Sequence, residues 1–121
     1  MGNKVSEEFE IKHTSSVIYI KLPDGSKAFL GYKVEGGVMK LIETYTPSQH
    51  RGKGVARRLI EYAIDLARKQ GLLIEPICSY AIYYFMRHPE LRNLLIPELR
   101  DSDLNSLYRQ RIEEEKRKAS K

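Results

Sequence analysis

Hydrophobic and polar residues alternate through the first third of the chain, and turn sequences interrupt the alternation. Residues 17–22 read Val-Ile-Tyr-Ile-Lys-Leu and lead into Pro23-Asp24-Gly25-Ser26. Such alternation is typical of strands with one buried face, and Pro and Gly favour tight turns. The pattern predicts an antiparallel meander that ends at the turn Thr46-Pro47-Ser48. Its four strands are expected at 9–13, 17–22, 28–35 and 38–45.

The hydrophobic period lengthens after the meander from two residues to between three and four. Apolar residues share one face between Val55 and Ala67, charged residues occupy the other face, and Gly71 provides a stop. A short buried strand is predicted at 72–78, and it should run parallel to the strand before it because a helix connects the two. A second helix is predicted at 79–87.

Charged residues dominate the chain beyond residue 93. Leu104, Leu107 and Ile112 recur at helical spacing and predict a further helix with a narrow apolar stripe. This stripe must be covered by the rest of the chain or by a second copy in a homodimer. We interpret 1–95 as one α/β (α+β) domain and 96–121 as a charged C-terminal helical extension.

The composition fits one small domain with an anionic partner. The chain has 121 residues, 41% of them hydrophobic, and its 21 Lys and Arg against 16 Asp and Glu give a formal charge of +5. Such an excess favours a nucleotide cofactor, a nucleic acid or a membrane surface. The chain shows neither a hydrophobic run of spanning length nor a secretory signal, so a cytoplasmic protein is expected.

Two local features bear on membranes and metals. Met1-Gly2 followed by Ser6 fits the N-myristoylation pattern, but no second membrane signal accompanies it. Cys78 is the only cysteine, which excludes an internal disulfide and a cysteine cage for a metal. Because His, Asp and Glu also lack metal-ligand spacing, no metal is predicted.

The segment Gln49-His50-Arg51-Gly52-Lys53-Gly54 lies between a predicted strand and the helix that begins at Val55. Unpaired backbone amides and the positive end of the helix dipole favour a phosphate at such a position. The two glycines let the backbone approach a ligand closely. Basic residues add positive potential at Arg51, Lys53, Arg57 and Arg58.

Two common phosphate-binding motifs do not fit this segment. A P-loop would require Ser or Thr after Lys53, where Gly54 stands, and a dinucleotide fingerprint would require glycine in place of Arg57. The arrangement Gln49-x-x-Gly52-x-Gly54 instead resembles the Gln/Arg-x-x-Gly-x-Gly/Ala coenzyme A motif of the GNAT N-acetyltransferases.

The resemblance extends beyond this motif. Residues 47–90, including Cys78-Ser79-Tyr80 and His88-Pro89-Glu90, are similar to the small single-domain GNAT subgroup, and weaker similarity covers about 9–95. It implies a mixed sheet in which pantetheine runs between the strands 38–45 and 72–78. Acetyl-coenzyme A is the implied cofactor, with backbone amides of 51–55 on its pyrophosphate and Gln49 shaping the loop. The implied cofactor-binding residues are Thr44, Tyr45, Thr46, Gln49, His50, Arg51, Gly52, Lys53, Gly54, Val55 and Ala56.

The resemblance implies transfer of an acetyl group to an amine, with a backbone amide near Thr44 or Tyr45 polarising the thioester. Three side chains are candidates for the proton transfers, and each has a structural alternative. Glu43 could take up the amine proton or be a solvated strand carboxylate. Cys78, whose pKa the following helix should lower, could accept the acetyl group, protonate the leaving thiolate or pack in the core.

Tyr80 is the third candidate, as general acid or as a core aromatic residue. In many GNAT enzymes the general acid is a tyrosine of the helix that follows the strand corresponding to 72–78. Alignment of the helix ends places Phe85 at that position in this chain. Because of this departure, a non-catalytic or weakly catalytic acyl-coenzyme A-binding module is an alternative function. A nucleic-acid-binding protein using the basic helix is a further alternative, although the tail from Pro97 onward is nearly neutral in charge.

The acceptor is the least determined part of the prediction. GNAT enzymes usually insert helices between their first two strands, whereas only Thr14-Ser15-Ser16 stands there in this chain. An open acceptor side suits a protein lysine, a terminal amine or a small polyamine. The C-terminal helix could cover this opening.

Overall fold

The alternating segments form a five-stranded sheet whose strands lie side by side in the order of the chain. The first three pairs are antiparallel, and the last pair is parallel. The computed structural model describes residues 10–119. Its strands are Ile11–His13 (β1), Val17–Lys21 (β2), Lys27–Glu35 (β3), Val38–Tyr45 (β4) and Leu73–Pro76 (β5).

Four helices follow the meander, and none of them, within residues 10–119, is long and apolar enough to cross a membrane. A 3₁₀ turn at Ser48–His50 precedes the first helix, and another at Pro89–Leu94 follows the second. The helices are Val55–Gln70 (α1), Ser79–Arg87 (α2), Pro97–Arg100 (α3) and Leu104–Ala119 (α4).

This architecture confirms the predicted mixed sheet, with its meander, crossover helix, parallel strand, second helix and C-terminal helix. Gly71 ends α1 in the left-handed conformation, as its position predicts. The region 96–103 adds a short helix to the expected one. Phe9, expected to open the first strand, and the Met1, Gly2 and Ser6 pattern lie outside the described residues.

The core lies between the sheet and its helices. α1 contacts β2 and β3, α2 contacts β4 and β5, and the two helices contact each other. Alternate strand residues are buried there, as the period of two predicts. The fully buried strand residues include Ile18, Ile20, Ala28, Leu30, Met39 and Leu41.

The strands β4 and β5 separate after four paired residues. Their parallel pairing runs from Val38 and Leu73 to Leu41 and Pro76. β4 also contains a bulge, because Gly31 faces Glu43 while Tyr32 faces Leu41, which leaves Ile42 without a partner on β3. A bulge bends its strand, and proline has no amide to continue a ladder, so the two strands diverge at this level.

The predicted strand 72–78 is therefore shorter than expected. Beyond Pro76, the amides of Ile77 and Cys78 both donate to the carbonyl oxygen of Leu41, at 2.9 and 3.1 Å. The regular ladder ends at this shared acceptor, and the chain then enters α2 at Ser79. The divergence of β4 and β5 leaves a gap that opens between the end of β4 and the start of α2.

Candidate functional site

Loop 49–55 lies between β4 and the first turn of α1, as the sequence predicts. The first backbone bond of the helix runs from the amide of Arg58 to the carbonyl oxygen of Gly54, at 3.1 Å. The amides of Val55, Ala56 and Arg57 therefore have no acceptor within the helix. No acidic residue stands in the first turn to neutralise the positive end of the dipole.

Two glycines give the loop its shape. Gly52 and Gly54 have φ values of 79° and 80°, in the left-handed region that other residues enter only at a cost. No atom lies within 4 Å of the position that a side chain at Gly52 would occupy. The backbone is thus open to a ligand on this side.

A cavity of about 220 Å³ lies against this loop. Its lining combines main chain from the loop, the start of α1 and one tyrosine of α2, with a positively charged rim. The lining residues are Thr46, His50, Arg51, Gly52, Gly54, Val55, Ala56, Arg57 and Tyr80. Such a surface suits an anion held mainly by backbone amides.

Asp24, in the turn between β2 and β3, holds the loop in place. Its carboxylate accepts hydrogen bonds from the amide and hydroxyl of Ser26, from Nε2 of Gln49 at 3.1 Å and from Nε2 of His50 at 3.0 Å. The Ser26 hydroxyl, followed by the Gln49 amide, holds the pKa of Asp24 far below its usual range. Gln49 is thus bonded to the turn between β2 and β3 and does not line the cavity.

Arg51 closes the loop from the other side, because its Nε donates to the carbonyl oxygen of Thr46 at 3.0 Å. The remaining basic residue of the loop, Lys53, does not line the cavity. Seven of the residues predicted to bind the cofactor line this one cavity. They are Thr46, His50, Arg51, Gly52, Gly54, Val55 and Ala56. Gln49 and Lys53 lie beside it.

A second cavity, of about 320 Å³, occupies the gap where β4 and β5 diverge. The two cavities follow each other along the end of β4, since Thr44 lines the second and Thr46 the first. The lining residues of the second cavity are Ile42, Glu43, Thr44, Cys78, Ser79, Glu115 and Lys118.

Cys78 lies at the floor of the second cavity, with only 6% of its surface exposed. Its sulfur is 4.0 Å from the hydroxyl of Thr44. Burial raises the pKa of the Cys78 thiol, and hydrogen bonds to the amides of Ala81 and Tyr80 oppose this rise without cancelling it. The expected lowering of this pKa by α2 is therefore wrong, because desolvation outweighs the helix end.

Glu43 projects from β4 over Gly31, whose missing side chain leaves room for it. A Cβ atom at Gly31 would stand 3.4 Å from Cγ of Glu43. Thr44 faces the same cavity, whereas Tyr45 packs its ring on Phe29 at 5.6 Å between centroids and is 46% exposed. The structure thus brings Glu43, Thr44 and Cys78 together, and places the Tyr45 side chain elsewhere.

Tyr80 lies in the first turn of α2 and lines the first cavity, not the second. Burial raises the pKa of its hydroxyl, while the nearby Arg57 guanidinium acts in the opposite direction. Phe85, which the alignment of helix ends placed at the position of the acid, is completely buried in the core. Tyr80 is therefore the tyrosine of α2 that lines the loop cavity.

Five residues of the site were not predicted as site residues, and they are Asp24, Ile42, Ser79, Glu115 and Lys118. In the sequence, Asp24 belongs to a predicted turn and Ile42 to a predicted strand. Ser79 starts a predicted helix and belongs to the Cys78-Ser79-Tyr80 step of the resemblance, but neither feature marks it as a site residue. Glu115 and Lys118 belong to the charged extension, where nothing in the sequence distinguishes them from their neighbours. Within residues 10–119, no group of three His, Cys, Asp or Glu side chains could hold a metal ion.

The chain is similar to known proteins both in sequence, through a family model, and in fold, through solved structures. The sequence model described as GCN5-related N-acetyl-transferase matches residues 17–94, more than half of the chain, from β2 to the 3₁₀ turn after α2. A solution NMR structure of a GCN5-like candidate N-acetyltransferase from Staphylococcus aureus superposes with a TM-score of 0.57 at 20% identity. That match covers 74% of this chain and 89% of the other, and at this identity it shows a shared fold.

Proposed function

The chain belongs to the GCN5-related N-acetyltransferase family, and we propose that it moves an acetyl group from acetyl-coenzyme A to an amine by direct transfer in a ternary complex. One observation carries the proposal. The cavity against loop 49–55 and the cavity between β4 and β5 follow each other along the end of β4. A cofactor with an anionic end and an extended arm could occupy both.

The loop cavity would hold the pyrophosphate. Unpaired amides at the start of α1, two left-handed glycines and the absence of an acid in the first turn all favour negative charge there. Arg51 and Arg57 line the cavity and add side-chain charge. Among phosphate ligands, the family favours acetyl-coenzyme A.

The gap between the strands would hold the pantetheine arm and the thioester. Beyond Leu41, β4 no longer pairs with β5, so its backbone groups on that side lack ladder partners. The amides of pantetheine could pair with this edge. A backbone amide near Thr44 or Tyr45 would then face the thioester oxygen, where a fixed donor stabilises the developing negative charge.

The chemistry requires two proton movements. The amine nitrogen bonds to the thioester carbon, the carbon–sulfur bond breaks, and coenzyme A leaves as a thiolate. The amine loses one proton to Glu43, directly or through water. The thiolate gains one from Cys78, which lines the same gap, or from Tyr80, which lines the adjoining loop cavity. The raised pKa values of Cys78 and Tyr80 keep both groups neutral, and the raised pKa of Cys78 disfavours a thiolate nucleophile.

The experiment separates binding from catalysis. Calorimetry with acetyl-coenzyme A tests the donor site, and release of free thiol in the presence of a panel of amines tests transfer. Binding with amine-dependent thiol release is expected. Binding without release for any amine would favour the acyl-coenzyme A-binding module, and absence of binding would contradict the proposal altogether.

Variants test the role of Glu43. Glu43→Gln should lower thiol release while acetyl-coenzyme A still binds, because the carboxylate acts on the amine. Glu35→Gln is the matched control, since Glu35 lies on β3 and makes exposed ion pairs with Lys33 and Lys40. Equal rates for both variants would remove Glu43 from the mechanism.

A further inference from the structure

Helix α4 lies outside the stretch that matches the family, but it reaches the second cavity. Leu104, at its start, is buried in the core, and the ring of Tyr108 packs against Tyr83 of α2 at 5.8 Å between centroids. The turn before α4 is fixed by Arg92, whose guanidinium donates to the backbone oxygen of Ser102 at 2.9 Å. These contacts hold α4 along α2.

Glu115 connects the far end of α4 to the site. The amide of Ser79 donates to one of its carboxylate oxygens at 3.0 Å, and the Ser79 hydroxyl donates to the other at 2.7 Å. This amide is one of those at the start of α2 that have no acceptor in the helix. Glu115 is thereby fixed beside Cys78, and each oxygen keeps a lone pair for a further donor.

The charged side chains around the second cavity favour a cation. Glu43 comes from β4 and Glu115 from α4, while Lys118 is the one basic residue of the lining. Two carboxylates against one ammonium leave a net negative charge. A primary amine is protonated at neutral pH, so it would arrive as the cation that these carboxylates attract.

On the basis of the proposed function, we infer that α4 forms a wall of the acceptor site and that Glu115 binds the ammonium form of a primary alkylamine. Glu115 is an acceptor-binding residue in this reaction. Glu43 takes one proton from the ammonium, which frees the lone pair that attacks the thioester. The second proton leaves the nitrogen after the attack and replaces the one that Cys78 or Tyr80 gives to the departing thiolate. Acetylation converts the ammonium into a neutral amide. The product therefore loses its attraction to Glu115, which helps it to leave.

Two sources share this chemistry, a free polyamine and a lysine side chain of a protein. The test uses spermidine for the first source and a peptide with blocked termini and a single lysine for the second. Each is titrated by calorimetry into protein saturated with coenzyme A, which permits binding without turnover. The NMR shift of the Ser79 amide reports whether the amine binds beside Glu115.

The informative variant is Glu115→Gln, and Glu113→Gln is its control. Glu113 is exposed on the same helix and does not line the cavity, so its change removes the same charge elsewhere. At least one probe should bind to Glu115→Gln about fivefold more weakly than to the other two proteins, as expected for one lost ion pair. The affinity for coenzyme A should be unchanged in all three.

The outcomes distinguish the two proposals. Equal affinity of both variants for the amines, or no binding of either probe to the coenzyme A complex, would overturn the role of Glu115 and leave the proposed function standing. Failure of coenzyme A itself to bind would overturn both. Binding of spermidine alone would indicate a free polyamine, and binding of the peptide alone would indicate a protein lysine.

Discussion

The conformation of Gly52 permits a sharp test of the cofactor loop, because the chain contains a nearly identical control. Gly52 has a φ of 79°, and Gly37, in the turn between β3 and β4, has a φ of 78°. No atom lies within 4 Å of the side-chain position at either glycine. Gly52→Ala and Gly37→Ala therefore introduce the same backbone strain and no clash within the protein.

The expected loss of stability or affinity follows from the cost of placing alanine in the left-handed conformation. An alanine there costs roughly 1–2 kcal/mol relative to glycine. In Gly37→Ala the whole cost should appear as lost stability. In Gly52→Ala the loop can either keep its shape and lose stability, or relax and lose the arrangement of its amides. In the second case, restoring the loop on binding raises the Kd of acetyl-coenzyme A about fivefold to thirtyfold.

A methyl group at Gly52 would also stand on the side open to the ligand, which adds to the loss of affinity. We therefore expect Gly52→Ala to bind acetyl-coenzyme A at least fivefold more weakly, and Gly37→Ala to bind it as the unmodified protein does. Calorimetry gives the two affinities. Melting temperatures give the stability, at about 4 °C for each kcal/mol in a domain of this size.

The reasoning would be refuted by one clear result. If Gly52→Ala loses as much stability as Gly37→Ala and still binds acetyl-coenzyme A within twofold of the unmodified protein, then the ligand does not approach the backbone at Gly52, and the proposed placement of the pyrophosphate is wrong. Loss of affinity in Gly37→Ala would instead indicate that strain in this turn spreads to the site, and the control would fail.

Three further predictions concern the supports of the site. Asp24→Asn should be less stable than the unmodified protein at pH 6, because the lowered pKa of Asp24 provides stability only while the carboxylate is ionised. The difference in stability between the two proteins should shrink as the pH falls below about 4. Melting curves from pH 2 to 6 test this. Cys78 should react with iodoacetamide more slowly than free cysteine at pH 8, because burial raises its pKa, and an equal rate would contradict the burial. Leu104→Ala should lower the free energy of unfolding by about 2–4 kcal/mol in urea, since Leu104 is 1% exposed, and the half-buried Leu107→Ala should cost less.

The parts of the fold that depend on local pattern could be predicted from the sequence. Period-two alternation located the meander, and the change to helical periodicity located α1, whose end follows from Gly71. The position of loop 49–55 between a strand and a helix follows from the same reasoning. The bulge at Ile42 could not be predicted, because nothing in its local sequence distinguishes it from its neighbours.

The contacts that support the site join residues far apart in the chain. Asp24 and Gln49 are separated by 25 positions, and Ser79 and Glu115 by 36. Periodicity describes one element at a time, so it cannot pair a turn with a loop or the end of α4 with the start of α2. The pKa of Cys78 was mispredicted for a related reason, because its burial depends on the packing of several elements.

Glu43 and Cys78 line the same cavity, but Glu43 is exposed to solvent and Cys78 is buried. This difference in exposure suits them to different proton transfers in the proposed reaction. Glu43 is exposed on β4, so water can carry its proton away and restore the carboxylate. Cys78 is buried, and its raised pKa keeps the thiol protonated. The fixed charge of Glu115 adds to that rise, so the carboxylate proposed to bind the acceptor also helps to keep Cys78 a neutral thiol. One tertiary contact of α4 would thus serve both sides of the transfer.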